Sequence, residues 1–172
     1  ENYSSIKTFL LKNGVTFDSE TDSEVLVQLI GYIYKKEKVD FDQAVRLALK
    51  EIVGTYGLVV LCKDEPDKII AANLGSALVF GVGYDEMIIA SDSSPIIEYT
   101  RNIVFLDEGE MALIHKDNYE VRNINQNERV NKTINKIEYT LDQIEKGGYD
   151  HFMLKEIFEQ PKTVKESLRG RI

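Results

Sequence analysis

The chain has 172 residues, 43% hydrophobic and 29% charged, which is the composition of one globular domain with an apolar core. Its formal net charge of −8 argues against general nucleic-acid binding and against docking on anionic membranes, because both need a basic face. No apolar run is long enough to span a bilayer, and the single cysteine cannot form an internal disulfide. A lone free thiol is typical of a reducing compartment, so we expect a cytoplasmic protein.

Two helices are predicted at the start of the chain. Residues 4–13 place apolar side chains on one helical face, and Gly14 is positioned to end that helix. Thr21 and Glu24 then fit a capping box, in which the threonine caps the next helix and the glutamate reaches back to it. Apolar side chains at helical spacing continue this second helix to about Lys36.

A third helix is predicted between Asp40, as its cap, and Gly54, which ends it. Its apolar side chains form one stripe, made of Ala44, Leu47, Ala48 and Ile52. Because the three helices precede a run of strands, we expect them to form a layer on one face of the sheet.

Four short strands are predicted next, separated by polar turns. They are Tyr56–Cys62, Lys68–Asn73, Ala77–Gly83 and Met87–Ser91. Continuous apolar runs of this length, rich in Val and Ile, favour strands that are buried on both faces. We therefore expect a further layer on each side of these strands.

The middle of the chain predicts a short helix and a β-meander. Ser94 and Pro95 are typical of a helix start, and this helix is expected to end near Thr100. Three strands at regular spacing follow, namely Asn102–Leu106, Met111–His115 and Tyr119–Asn123. Residues 125–132 are rich in Asn, Gln and charge, which predicts a surface connection.

The C-terminal tail is predicted to be helical and separate from the sheet. Helical spacing returns at residues 134–144, and Gly147 and Gly148 break it. One helix is expected to begin at His151, and Pro161 is expected to open another. The tail is locally basic, which favours a solvated helical face; its cations are Lys155, Lys162, Lys165, Arg169 and Arg171.

Four stretches together resemble the glutamine–fructose-6-phosphate aminotransferase family, also called glucosamine-6-phosphate synthase. They are Ser19–Glu24, Gly54–Gly57, Ile89–Asp92 and His151–Pro161, and the ending Arg169–Ile172 is similar too. The first three stretches are shared more loosely with other amidotransferases of the N-terminal-nucleophile type. The fourth is the specific one, because it resembles the junction between the glutaminase and the sugar-isomerising domains.

The resemblance implies an α/β fold of the α+β kind: part of a four-layer α/β/β/α sandwich of the N-terminal-nucleophile hydrolase type. Its strands would be mainly antiparallel, with a helical C-terminal tail. Residues 1–140 would be the C-terminal part of a glutaminase domain, residues 141–152 a linker, and residues 153–172 the first helices of the isomerase domain. The chain would then be a fragment without the family's N-terminal cysteine, Asn-Gly oxyanion pair and Arg-Trp loop, and inactive alone.

For the parent protein, the resemblance implies transfer of ammonia from glutamine to fructose 6-phosphate, which gives glucosamine 6-phosphate and glutamate. It implies no metal or organic cofactor, and we expect a homo-oligomer. Two alternatives stay open. One is another glutamine-dependent amidotransferase, such as the phosphoribosylamine-forming type, against which the His151–Pro161 stretch argues. The other is a non-catalytic binding module that kept the sheet and lost the nucleophile.

Asp22 is the one substrate-binding residue that the resemblance implies, as the carboxylate that receives the α-ammonium group of glutamine. A carboxylate in the first turn of a helix is favoured by the amide dipoles and suits a cationic ligand. Spacing alone favours a simpler role, in which Asp22 only helps to start the helix. We expect negligible affinity for glutamine in the isolated chain, because the rest of the pocket would be missing.

No catalytic or metal-binding residue is expected in this chain. Cys62 lies in a predicted strand without a neighbouring base, which is typical of an inert packed thiol rather than a nucleophile. His115 and His151 are too few for a zinc site, which usually needs three or four protein ligands. Gly81 and Gly83 lack the third glycine and the following helix of a phosphate-binding loop, so they are expected in a strand and turn.

Overall fold

The computed structural model of the chain describes residues 1–137 and 148–168. The chain divides into two compact units, Glu1–Lys136 and Ile137–Ile172. In the described residues, no helix combines the length and hydropathy that crossing a bilayer would require.

The helices predicted at the start of the chain are confirmed. They are α1 (Tyr3–Lys12), α2 (Asp22–Glu37) and α3 (Phe41–Glu51). After α1, Gly14 has φ +81°, a left-handed conformation that glycine adopts without strain and that ends the helix. All three helices contribute side chains to one apolar core, in which Leu10, Leu29 and Val45 are buried.

Half of the predicted capping box at the start of α2 is confirmed. The side-chain oxygen of Thr21 accepts a hydrogen bond of 3.2 Å from the N–H of Glu24. The other half, a hydrogen bond from the N–H of Thr21 to the carboxylate of Glu24, is wrong. That carboxylate instead accepts the N–H groups of Asp18 and Ser19, at 2.7 Å each. The glutamate therefore holds the loop before the helix rather than the cap residue.

Asp40 is the N-cap residue of α3, as predicted. Its backbone carbonyl accepts the N–H of Ala44 at 2.9 Å, but its carboxylate makes no capping bond. The first N–H of the helix, on Phe41, donates instead to the carboxylate of Glu65 at 3.0 Å. Tertiary structure supplies this acceptor, because Glu65 lies on a strand that packs beside the helix.

The strands form two antiparallel sheets. They are β1 (Tyr56–Cys62), β2 (Glu65–Leu74), β3 (Val79–Val82), β4 (Met87–Ala90), β5 (Asn102–Phe105), β6 (Glu110–Ile114), β7 (Tyr119–Asn123), β8 (Arg129–Val130) and β9 (Asn135–Lys136). The first sheet has the order β1-β2-β6-β7-β8 and the second has the order β4-β3-β5-β9. The four strands predicted between residues 56 and 91 are thus confirmed, with shifted ends, but they divide between two sheets.

The sheets pack face to face, and the helices cover the outer face of the first sheet. Along β2, Ile70 and Ala72 join the helical core, whereas Ala71 faces the second sheet. Phe80 of β3 is fully buried between the sheets, and its ring lies edge-on to Tyr119 with centroids 4.8 Å apart. Such a ring pair adds about 0.5–1.5 kcal/mol to the free energy gained by burial.

The expectation that the strands are buried on both faces is wrong for β1. Leu58, Val60 and Cys62 pack toward the helices. On the other face, Val59 and Leu61 are 48% and 70% exposed. β1 is the end strand of its sheet, and within the described residues the second sheet does not cover it.

The helix predicted from Pro95 to Thr100 does not form. The chain makes consecutive turns there, in which the N–H groups of Ile96 and Ile97 both donate to the carbonyl of Ser93. Ile96 and Ile97 are both buried, and the side chain of Ile96 lies against Gly81 of β3. The packing of this segment on the second sheet therefore overrides the helix-start signal.

The predicted meander is wrong in its first strand, because β5 pairs with β3 and β9 and not with β6. The connection at residues 125–132 is also more structured than predicted: it contains β8, which pairs with β7. The sequence predicts a helix at residues 134–144, but Asn135 and Lys136 form β9, and residues 138–144 lie outside the described part of the chain.

Among its described residues, the second unit contains the helix α4 (Phe152–Leu168). The prediction that Pro161 opens a separate helix is wrong, since α4 continues through this residue. The ring of Tyr149 stacks on that of Phe158, with centroids 5.7 Å apart. The side chains of Lys162 and Lys165 and the ending from residue 169 to residue 172 lie outside what the structure describes.

Candidate functional site

A cavity of about 450 Å³ opens where α1, α2 and β1 begin. The first turn of α2 contributes Asp22 and Ser23, and the approach to β1 contributes the segment from Ile52 to Leu58. Its apolar lining includes Ile6, Val25 and Leu26. The cavity therefore combines an apolar floor with a carboxylate at its rim, which is the usual character of a small-molecule site.

Asp22 is the first residue of α2, and its side chain is exposed. Within the described residues, its carboxylate has no hydrogen-bond or ion-pair partner. Thr21, and not Asp22, caps the helix, so the carboxylate of Asp22 is not used to satisfy the backbone. The amide dipoles of the helix N-terminus favour a negative charge at this position.

One wall of the cavity is fixed by the side chain of Asn2. Its Nδ2 donates to the carbonyl of Glu51 at 2.8 Å, and its Oδ1 accepts the N–H of Val53 at 3.0 Å. These bonds join the start of α1 to the end of α3. No local sequence pattern predicts this role, because Asn2 and its partners are about fifty positions apart along the chain.

A second wall of the cavity lies beside the start of β1, where two segments of the chain approach so closely that glycine is needed. A Cβ atom on Gly57 would lie 3.1 Å from the Oγ of Ser76. Gly75 has φ +71°, and a Cβ atom there would lie 2.6 Å from the Cγ2 of Thr55. Larger residues at these two positions would push the segment from Thr55 to Gly57 out of place.

Tyr56 also lines the cavity, although its sequence context predicts only a strand residue. Its side chain packs against the helical core, and burial raises the pKa of its phenol. The hydroxyl therefore stays protonated at neutral pH and can donate a hydrogen bond. The Gly54–Gly57 stretch, on which the family resemblance partly rested, contains this residue.

A larger cavity, of about 700 Å³, lies at the other end of the β1–β2 pair. Two of its side chains have partners within the protein: Lys116 lies 2.8 Å from Asp85, and the Nδ1 of His115 lies 3.0 Å from the carbonyl of Asp67. Asp22 is not among its lining residues. We therefore take the smaller cavity as the candidate site.

The other residues considered in the sequence do not join Asp22. Cys62 is a half-buried free thiol at the far end of β1, and His115 borders the larger cavity. His151 is exposed and belongs to the second unit. Gly81 lies in β3. Across the described ranges, the structure contains no group of three His, Cys, Asp or Glu side chains with metal-site geometry.

Comparison with known proteins shows which enzymes the chain is similar to. No protein-family model matches it. It is 47% identical over 173 residues to the glutamine–fructose-6-phosphate aminotransferase (isomerizing) of Chlorobaculum tepidum, and 47% identical over 173 residues to that of Bacteroides thetaiotaomicron. It is 44% identical over 170 residues to that of Thermococcus kodakarensis. The chain belongs to the glutamine–fructose-6-phosphate aminotransferase family.

These family matches cover 99–100% of the chain but only 28% of each relative's length. Among solved structures, the glutamine phosphoribosylpyrophosphate amidotransferase from B. subtilis, complexed with ADP and GMP, matches with a TM-score of 0.62. The match is 21% identical and covers 73% of this chain and 27% of that one. At this identity the likeness shows the fold, and it confirms the predicted fold class.

Proposed function

We propose that Asp22 holds the α-ammonium group of glutamine, in an enzyme that transfers the amide nitrogen of glutamine to fructose 6-phosphate. The observation that carries this proposal is the place of Asp22 in a member of the aminotransferase family. Its carboxylate stands at the rim of an apolar cavity, and none of the described residues pairs with it. The residue that the resemblance singled out therefore lies where a small ligand could reach it.

The chemistry of the cavity suits this ligand. An ammonium group needs a fixed anion, and the first turn of α2 holds Asp22 on a rigid element. The apolar floor, which includes Val25 and Leu26, suits the methylene groups of glutamine. The hydroxyl groups of Ser23 and Tyr56 are available as hydrogen-bond donors to the substrate carboxylate.

The proposed reaction converts glutamine and fructose 6-phosphate into glutamate and glucosamine 6-phosphate. It is an acyl transfer followed by amination and isomerisation of the sugar, with no net oxidation, so we propose no cofactor. The nucleophilic cysteine implied by the family resemblance is not among the residues of this chain. The share of this chain is to recognise glutamine, and we propose that the parent enzyme is cytoplasmic and homo-oligomeric.

The proposed domain assignment divides these tasks. Residues 1–140 would belong to the glutaminase domain, residues 141–152 to a linker, and residues 153–172 to the isomerase domain. The separation of the chain into compact units after residue 136 supports a boundary in this region. The fold likeness to a phosphoribosylpyrophosphate amidotransferase does not favour that substrate, because relatives at 47% identity bear the name of the fructose-6-phosphate enzyme.

The test uses a chimaera, in which this chain replaces the matching segment of the C. tepidum relative. Asp22→Asn should lower kcat/KM for glutamine by a charge-assisted hydrogen bond, about 1.5–3 kcal/mol or roughly 10- to 150-fold. Isomerisation of fructose 6-phosphate should not change. The matched control is Glu20→Gln, which removes an exposed carboxylate two residues earlier. An unchanged kcat/KM in Asp22→Asn would mean that this residue only starts the helix.

A further inference from the structure

We propose that Glu24 is a positioning residue for glutamine, because its carboxylate fixes the loop at residues 18–21 and thereby aims Asp22 into the cavity. This inference rests on the proposed function of Asp22. The side chain of Glu24 does not line the cavity. From its spacing in the sequence, Glu24 is expected only to help cap the helix.

The contacts of Glu24 close a ring around the loop before α2. One carboxylate oxygen accepts the N–H of Asp18, and the other accepts both the N–H and the hydroxyl of Ser19. The N–H of Glu24 donates to the side chain of Thr21. The hydroxyl groups of Ser19 and Thr21 lie 2.9 Å apart and share a further hydrogen bond. The side chain of Glu24 therefore holds the start of the four-residue loop, and its backbone N–H holds Thr21 at the end.

This ring differs from an ordinary capping box in a way that matters for Asp22. In the ordinary box, the glutamate would accept the N–H of Thr21. Here that N–H donates to the hydroxyl of Ser19 at 3.3 Å, and the glutamate reaches farther back. The loop and the helix start are thus held together by Ser19, Thr21 and Glu24. Asp22 takes no part in the ring, so its carboxylate stays available for a ligand.

The ring also sets the charge around the ligand position. The hydrogen bond from Ser19, aided by that from the N–H of Asp18, lowers the pKa of Glu24 below its usual value. Glu24 is therefore ionised over the whole neutral range. Two carboxylates in the first turn of α2 make the potential at the cavity rim negative, which favours an ammonium group over an uncharged or anionic one.

A loop that is already ordered does not have to be ordered by the substrate. If the ring is opened, glutamine must fix the loop when it binds, and that cost appears mainly in binding. We therefore expect Glu24→Gln, in the chimaera, to raise KM for glutamine by about 3- to 10-fold. The value of kcat and the KM for fructose 6-phosphate should not change. Glu20→Gln, the same charge change in the same loop, should leave every constant unchanged.

A double-mutant cycle separates positioning from a general structural effect. If Glu24 acts through Asp22, then Glu24→Gln should have no further effect on KM once Asp22→Asn is present. Additive effects, or an equal fall in kcat and in the sugar isomerisation rate, would overturn the proposal in favour of a merely structural role. Ser19→Ala removes one bond of the ring, should raise KM in the same direction by a smaller factor, and decides the question if Glu24→Gln does not fold.

The two proposals fail in different ways. If Asp22→Asn weakens glutamine use while Glu24→Gln and Ser19→Ala leave KM unchanged, the positioning role is overturned and the proposed function stands. If Asp22→Asn changes nothing, the proposed function is overturned, and the positioning role is overturned with it.

Discussion

Replacing Lys132 by methionine should lower the free energy of unfolding of the first unit by about 2–4 kcal/mol. The Nζ atom of Lys132 lies 2.6 Å from a carboxylate oxygen of Glu110 and 2.7 Å from one of Asp107. The side chains of Lys132 and Glu110 are only 10% and 7% exposed. Without Lys132, the charge of Glu110 would remain buried and lose its cation.

The magnitude follows from the burial of the two pairs. Removing one partner of a buried ion pair costs about 3–5 kcal/mol, whereas an exposed pair contributes at most about 1 kcal/mol. The side chain of Asp107 is 79% exposed, so its pair with Lys132 adds little. Glu110 also keeps a hydrogen bond of 2.7 Å from the N–H of Asp107. Because this bond remains, we expect a loss around the lower end of the range for buried pairs, about 2–4 kcal/mol.

Urea unfolding followed by far-UV circular dichroism measures this loss, since the chain has no tryptophan. The matched control is Lys116→Met, which breaks an ion pair whose side chains are 69% and 62% exposed, and it should cost less than about 1 kcal/mol. Adding Glu110→Gln to Lys132→Met should recover much of the loss, because no buried charge remains. A Lys132→Met variant as stable as the Lys116→Met control would refute the reasoning.

Two further predictions concern pH and association. The hydrogen bond from the side chain of Lys68 is the main cause that lowers the pKa of Glu65 below its usual 4.5, and the hydrogen bond from the N–H of Phe41 adds to this effect. A lowered folded-state pKa adds stability above pH 4.5 that is lost as the pH falls through the folded value. Glu65→Gln should therefore be less stable than the unsubstituted chain at neutral pH, and the difference between their urea midpoints should shrink as the pH falls below 4.5; a constant difference would contradict this. The isolated chain should also self-associate through β1, whose Val59 and Leu61 are exposed at a sheet edge. Light scattering over a dilution series should detect dimers or larger species that Leu61→Lys dissociates, and a monomer at high concentration would count against this interface.

Local signals in the sequence determined α1, α2, α3 and most strands, and the resemblance to the family supplied the candidate binding residue. Helical spacing with Gly14 and Thr21 at the ends located α1 and α2, because caps and periodicity act within one or two turns. Apolar runs bounded by turn residues located β1 to β4 for the same reason. Asp22 could be singled out because its motif is contiguous, and the residues around it retain the resemblance to the family.

Only the tertiary structure decided which strands pair and which charged groups are buried. β3 pairs with β5 in the second sheet, and Lys132, which lies in a polar segment of the sequence, forms a buried ion pair with Glu110. In both cases the partners are distant in sequence and are brought together by packing. The N-terminal N–H of α3 takes its acceptor, Glu65, from a strand in the same way. Glu24 follows the local motif in the bond from its N–H to Thr21 and departs from it in its carboxylate, which accepts the N–H groups of Asp18 and Ser19. Long-range partners of this kind leave no periodic signal in a single sequence.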